Sequence, residues 1–146
     1  MQRLENYGND LTFDAQSPIY TTEPQGAVKD QPWFKNCVVR LKAASDIWAP
    51  EGLLSTLQAV EAQMGRVRGE VVGGPRVIDL DLLLFGEAEM AGEYLTLPHP
   101  RMLERAFVLV PLRDIAPTLV FKDGRTIDQA LAGLSYSLEG CVIGQK

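Results

Sequence analysis

The alternation of apolar and polar positions predicts a short helix and then two strands in the first third of the chain. Residues 1–8 show helical spacing of apolar positions and end in a glycine, which is typical of a helix end. Residues 11–24 alternate loosely and are rich in Thr, Tyr, Phe and Ile, so they predict a strand, interrupted near Pro18. After a loop at 25–32, residues 33–43 alternate again and are predicted to pair with that strand.

The clearest helix is predicted for residues 50–65, because proline opens it and glycine ends it. Its apolar positions recur at helical spacing and predict a buried stripe. The members of that stripe are Leu53, Leu54, Leu57, Val60 and Met64. Gln58 and Glu61 lie on a different face from most of it, and solvent exposure is the simpler interpretation of both.

The second half of the chain predicts alternating strands and helices. Residues 65–76 hold four glycines and three arginines and predict a mobile loop, and residues 77–85 are apolar enough for a strand. Residues 95–98 are predicted to be extended, and residues 102–116 to form a buried helix broken at Pro111.

Near the carboxyl end, residues 119–121 predict a short strand and residues 141–144 another. Between them, Thr126 and Gln129 fit a capping box that opens a helix over 127–134. Helices alternating with hairpin-like pairs of strands predict an α+β fold with a largely antiparallel sheet.

Composition is that of an ordinary globular chain. With 46% hydrophobic and 23% charged residues, 146 residues suit one domain, 1–146. The longest apolar run, at 106–112, is too short to cross a membrane, and no secretory signal is present, so the cytoplasm is the expected location. Cys37 and Cys141 lie in contexts unlike a zinc site or a redox pair.

Charge argues against nucleic acid as a partner, because the formal net charge is −5. Five of the nine arginines nevertheless fall within 40 residues that hold no lysine. They are Arg66, Arg68, Arg76, Arg101 and Arg105. Because arginine grips oxyanions bidentately, this stretch predicts a small polyanionic ligand. The alternative is that these arginines are solvated and pair with nearby glutamates.

The segment VIDLDLLLF at 77–85 carries the candidate metal ligands Asp79 and Asp81. In a strand both side chains would share one face, with backbones roughly 6.6 Å apart. Two like charges among apolar residues need a counterion, and oxygen ligands without accompanying cysteines indicate Mg²⁺. Salt bridges from Arg66 or Arg76 are the alternative.

An arginine-bearing, glycine-rich loop directly before two carboxylates indicates transfer from a nucleoside triphosphate. The chain has no G-x-x-x-x-G-K-[ST] sequence, so it would not be a P-loop enzyme. His99, between two prolines, is a candidate phosphate or ribose contact, although a lone histidine is more often structural.

These residues resemble the 6-hydroxymethyl-7,8-dihydropterin pyrophosphokinase family of folate biosynthesis. The resemblance rests on GRVR at 65–68, GGPRVIDLDLLLFG at 73–86 and LTLPHPRMLERAFVLVPLRDIAP at 95–117, and it continues upstream through YTTEPQG and QPWFKN. It implies transfer of a diphosphoryl group from ATP to the hydroxymethyl oxygen of the pterin, with release of AMP.

The resemblance also implies roles for individual residues. Two Mg²⁺ ions would be held by Asp79 and Asp81. The mobile catalytic loop and its border would contribute Arg66, Arg68 and Arg76. Nucleotide contacts would come from Gln58, Glu61, His99 and Arg105. Pterin contacts would come from Thr22, Phe34, Asn36 and Phe107, with the two aromatic rings sandwiching the heterocycle.

Two departures from the family stand out. Gly73 occupies the position of a loop tryptophan, and the chain begins inside the first helix, so the first strand and the GSNLG-like turn of a ferredoxin-like α/β/α sandwich are expected to be missing. A late start codon, a trimmed chain, or replacement of the strand by residues 141–144 or by a partner chain would explain this. A monomer is expected, and a strand-completing dimer is the alternative.

Two other functions stay open at this point. A two-metal hydrolase of nucleotides or phosphate esters would use the same carboxylates. An inactive, shortened form that only binds nucleotide or pterin would keep the site without turnover.

Overall fold

The computed structural model describes residues 4, 8–26, 28–67 and 76–145, and they form mixed α and β structure with mostly antiparallel strand pairs. The chain divides into two compact units. The first contains Met1–Phe13 and Leu41–Pro100, and the second contains Asp14–Arg40 and Arg101–Lys146.

The strands are β1 Leu11–Gln16, β2 Tyr20–Thr22, β3 Phe34–Asn36, β4 Val39–Ala43, β5 Met90–Ala91, β6 Thr96–Leu97, β7 Tyr136–Glu139 and β8 Val142–Gln145. The α-helices are α1 Pro50–Gln63, α2 Ala106–Ile115 and α3 Ile127–Ala132, with 3-10 turns at Gly8–Asp10 and Met102–Glu104. None of the described helices is long and apolar enough to cross a membrane.

The first unit is organised around α1, which the sequence predicted. Pro50 is its first residue, and Gly65, just beyond its end, has a φ of +94° that suits glycine. The buried face is narrower than predicted, since Met64 is 40% exposed. A core forms around this helix, and its buried members are Leu4, Leu11, Leu53, Leu57 and Val60.

The prediction of a strand at 77–85 is wrong, because these residues join no sheet. Backbone groups there bond elsewhere: Leu80 N donates to the Glu61 carboxylate, and Leu83 O accepts from His99 N at 2.9 Å. Burial still alternates from residue 77 to residue 82, with odd positions exposed and even positions half-buried. Leu80 and Leu82 pack against the α1 core, so the two-residue period is kept without a strand partner.

The second unit contains a four-stranded sheet in the order β3-β2-β8-β7. β2 pairs antiparallel with β3 and parallel with β8, so the short strand has a partner on both edges. The break predicted near Pro18 is confirmed, since β1 and β2 are separate and β1 pairs with β4. The strand predicted at 141–144 is confirmed as β8, and its partner β7 was not predicted.

The helix predicted at 102–116 does break, but at Arg105 and not at Pro111. Arg105 has extended backbone angles, φ −118° and ψ 105°, between the 3-10 turn and α2. Pro111 lies inside α2, where a proline costs about 3 kcal/mol. Burial of the apolar side chains around it, among them Leu109 and Val110, outweighs this local cost.

Three further predictions concern short elements near the two ends of the chain. Thr126 and Gln129 form the predicted capping box at the start of α3, which ends at Ala132. The strand predicted at 119–121 is reduced to a single bridge between Val120 and Thr126. Most of the helix predicted at 1–8 lies outside the described residues.

Tyr20 joins β2 to the last turn of α2. Its hydroxyl donates to Asp114 Oδ2 at 2.5 Å, and the residue is 6% exposed. Burial and the neighbouring Asp114 carboxylate raise the pKa of Tyr20 from 10.0 to about 12. The folded protein therefore keeps a proton that the unfolded chain loses at lower pH. The resulting stability is complete below pH 10 and is lost as the pH rises through about 12.

We predict that the free energy of unfolding of the wild type falls more steeply between about pH 10 and about pH 12 than that of Tyr20→Phe. Urea denaturation across this range measures both slopes. The exposed Tyr94 provides the control, because Tyr94→Phe should leave the wild-type slope unchanged. Equal slopes for Tyr20→Phe and wild type would contradict the prediction.

Candidate active site

Glu61, in the last turn of α1, is buried and binds two other segments of the first unit. It is 7% exposed, which shows that the predicted solvent exposure is wrong. Its Oε2 accepts a hydrogen bond from Leu80 N at 3.0 Å and a second, short one from Arg66 Nη1. Arg66 N also donates to Glu61 O at 3.1 Å. Because a buried carboxylate is costly unless it is paired, these contacts hold the helix end, the loop start and Leu80 together.

Asp79 forms salt bridges with both Arg66 and Arg76, which the sequence offered as the alternative to a metal counterion. Arg66 Nη1 lies 2.8 Å from Oδ1, and Arg76 Nη1 lies 2.9 Å from Oδ2. The Asp79 side chain is 43% exposed, so water screens these ion pairs. Two guanidinium groups are thereby gathered at one accessible carboxylate.

Asp81 lies on the same exposed side of the segment and lines an open cavity of about 250 Å³ in the first unit. The cavity is also lined by His99 and Pro100 and by the turn between β5 and β6. Leu54 and Leu80 contribute apolar walls. The cavity therefore combines two carboxylates, those of Asp81 and Glu93, with one imidazole and an apolar floor, which suits a small polar ligand with a flat apolar part.

Of the other predicted site residues in this unit, the structure describes His99 and Gln58. His99 is half-buried, and its position is set by the bond from its N to Leu83 O. Gln58 is half-buried on α1, one helical turn beyond the cavity-lining Leu54. Arg68 and Gly73 lie outside the described residues.

Asp79 and Asp81 are carboxylates of the first unit that could hold a cation such as Mg²⁺. The described residues contain no group of three or more His, Cys, Asp or Glu side chains that could hold a metal. Mg²⁺ commonly uses only one or two carboxylates and takes its remaining ligands from water and substrate phosphates. Asp79 and Asp81, both on the exposed side of one segment, can supply those carboxylates.

In the second unit, β2 and β3 bring three of the predicted pterin contacts together. Thr22 lies opposite Phe34 in the register of the two strands. Asn36 Nδ2 donates to Thr22 Oγ1 at 2.5 Å, which orients the amide. Thr22 is buried, whereas Phe34 and Asn36 are half-buried and offer surface to a ligand.

Arg105 and Phe107 lie together at the start of α2. The guanidinium carbon of Arg105 is 5.4 Å from the centroid of the Phe107 ring, within the range of a cation–π interaction. Both residues are half-buried. This contact couples a predicted nucleotide residue to a predicted pterin residue.

The sequence did not predict two contacts that position site residues. The buried pairing of Glu61 depends on residues up to 19 positions away, and Gln145 binds the start of α2 across 39 positions. Neither has a local spacing pattern. The only available signal for Glu61 was its place next to Val60, at the edge of the apolar stripe of α1.

We predict that Glu61→Gln lowers the free energy of unfolding by about 1–3 kcal/mol, because the amide cannot replace a buried charge that accepts two hydrogen bonds. Urea denaturation measures the change. Glu51→Gln, at an exposed position in the first turn of the same helix, is the matched control and should cost less than about 1 kcal/mol. Equal losses in the two variants would show that the Glu61 contacts do not stabilise the unit.

Comparison with known proteins places these residues in a family. The model for the 7,8-dihydro-6-hydroxymethylpterin-pyrophosphokinase family matches residues 1–117. A 2-amino-4-hydroxy-6-hydroxymethyldihydropteridine pyrophosphokinase of Pseudomonas aeruginosa is 46% identical over 122 residues, which cover 84% of this chain and 72% of that protein.

Proteins of the same name show similar likeness in two other bacteria. The one from Methylorubrum extorquens is 47% identical over 84% of this chain and 74% of its own length. The one from Bacillus subtilis is 45% identical over 72% of this chain and 60% of its own length. With the family model matching most of its length, this chain belongs to the 7,8-dihydro-6-hydroxymethylpterin-pyrophosphokinase family.

Proposed function

We propose that this chain transfers a diphosphoryl group from ATP to the hydroxymethyl oxygen of 6-hydroxymethyl-7,8-dihydropterin in folate biosynthesis, releasing AMP. Membership of the family supports this reaction. The observation in the structure that supports it most is the pair Asp79 and Asp81, on one exposed side of a segment with two arginines at the first carboxylate and a cavity at the second.

Asp79 and Asp81 are the proposed ligands of two Mg²⁺ ions. When bound, these ions would supply Lewis-acid chemistry and neutralise phosphate charge. The protein's own contribution is to keep both carboxylates on the accessible side of residues 77–82, which the packing of Leu80 and Leu82 achieves.

Arg66 and Arg76 are proposed to exchange the Asp79 carboxylate for phosphate oxygens when ATP binds. Both guanidinium groups lie 2.8–2.9 Å from the water-accessible carboxylate of Asp79, so a more highly charged phosphate can displace that carboxylate. Arg66 keeps its second partner, the buried carboxylate of Glu61. Arg68 is assigned to the same loop by family resemblance alone. Charge on the transferring group would then be stabilised without a P-loop lysine.

His99 and Gln58 are proposed nucleotide contacts in the first unit. His99 is supported by its place on the cavity that Asp81 also lines. Glu61 is revised from a direct contact to a positioning residue, because its carboxylate already accepts hydrogen bonds from Leu80 and Arg66.

In the second unit, Arg105 is the proposed nucleotide contact, and Phe34, Asn36 and Phe107 are proposed to bind the pterin. Half-buried aromatic rings can stack on a flat heterocycle, and the oriented Asn36 amide can hydrogen-bond its edge. Thr22 is buried, and its hydrogen bond with Asn36 supports a role in orienting that amide.

We propose one pyrophosphokinase-like domain, monomeric and cytoplasmic, with a ferredoxin-like α/β/α sandwich. The four-stranded sheet of the second unit, in which β8 pairs with β2, supports a sheet-based arrangement of this kind.

Product analysis tests the reaction directly. With ATP, Mg²⁺ and the pterin, we expect AMP and a diphosphorylated pterin. ADP with free phosphate would indicate a hydrolase, and binding of both ligands without products would indicate an inactive binding form.

We predict that Asp81→Ala lowers kcat/KM by more than about a hundredfold, because a metal ligand is lost. Its free energy of unfolding should change by less than about 0.5 kcal/mol, because the side chain is exposed. Asp46→Ala, at an exposed turn outside the site, is the control and should retain wild-type kcat/KM. Retained activity in Asp81→Ala would contradict the metal assignment.

A further inference from the structure

The carboxyl-terminal hairpin of β7 and β8 lies beyond the residues that the family model matches, 1–117, yet it contacts the strand and helix that carry proposed substrate residues. β8 pairs with β2 so that Thr22 lies opposite Ile143. On either side of Thr22, Thr21 N donates to Cys141 O at 2.8 Å and Glu23 N donates to Ile143 O at 3.0 Å. The hairpin therefore sets the position of this part of β2.

Gln145, the last residue of β8, binds the backbone on both sides of Arg105 with its side-chain amide. Its Oε1 accepts from Ala106 N at 2.7 Å, and its Nε2 donates to Glu104 O at 2.7 Å. Ala106 is the first residue of α2, where backbone N–H groups have no partner within the helix. Arg105 provides no side-chain cap, so the distant Gln145 satisfies one of these groups.

The main chain of Gln145 binds the segment that follows β2. Its N donates to Glu23 Oε2 at 3.0 Å, and its O accepts from Gln25 Nε2 at 3.0 Å. Close approach here depends on Gly144, because a Cβ at that position would lie 2.8 Å from Ser137 Oγ and 3.4 Å from Glu23 Oε2. One residue thus joins the end of β2 to the start of α2.

We propose that Gln145 is a positioning residue that sets the orientation of Arg105 and, through the cation–π contact, of Phe107 for substrate binding. Two hydrogen bonds restrain the extended backbone at Arg105, and the guanidinium group lies over the Phe107 ring. This inference rests on the proposed function for the identity of the ligands. The contacts themselves do not depend on it.

The test compares Gln145→Ala with Ile143→Val. Ile143 is 1% exposed on the same strand, so its truncation by one methyl group weakens the hairpin without removing the amide at Gln145. Urea denaturation shows how far each variant is destabilised. Hydrogen exchange of the Ala106 amide then reports on its hydrogen bond to Gln145 Oε1. Steady-state kinetics report on the KM for ATP.

We expect Gln145→Ala to abolish the protection of the Ala106 amide and to raise the KM for ATP on the order of tenfold, with kcat changed less than about threefold. Ile143→Val should retain both the protection and the KM. Protection that persists in Gln145→Ala would overturn the inference, as would an unchanged KM or equal changes in KM in the two variants.

If the proposed function is wrong, the results differ from those expected if only the inference about Gln145 is wrong. If the wild type forms no diphosphorylated pterin, the equilibrium Kd for ATP replaces KM in the same comparison. If the wild type does not bind ATP either, the role in substrate binding is overturned together with the function. The exchange of the Ala106 amide then still decides whether Gln145 holds the start of α2.

Discussion

The buried carboxylate of Glu61 is the interaction on which the geometry of the proposed catalytic segment depends. It accepts hydrogen bonds from Leu80, which lies between the two aspartates, and from Arg66, which also binds Asp79. Without a strand partner, residues 77–85 cannot use a ladder of backbone bonds to fix their position. A charged acceptor at the end of α1 and the packing of Leu80 and Leu82 do this instead.

In the second unit, the side-chain amide of Gln145 fixes the position of the start of α2. Gln145 uses both polar atoms of its side chain and both of its main-chain groups on segments that are distant in sequence. An uncharged amide can donate and accept at once, so it suits a site where a backbone C=O and a backbone N–H must both be paired. In each unit, one side chain positions residues that regular secondary structure leaves unsupported.

Local patterns predicted the elements whose cause is local. α1 follows from its proline, its apolar stripe and its terminal glycine, and α3 follows from the capping box at Thr126. The pattern around Asp79 and Asp81 predicted the correct side for both carboxylates, although the segment is not a strand. The break at Arg105 and the burial of Glu61 could not be predicted, because their partners lie far away in the sequence.

The proposed reaction requires the exposed side of residues 77–82 to hold cations against ATP phosphates, while Arg66 and Arg76 move from Asp79 to those phosphates. A crystal structure with Mn²⁺ in place of Mg²⁺, a non-hydrolysable ATP analogue and the pterin tests it most directly, since anomalous scattering locates the cations. We expect Mn²⁺ in contact with Asp79 and Asp81, and Arg66 and Arg76 on phosphate oxygens. Cations bound elsewhere, with both arginines still paired to Asp79, would contradict it.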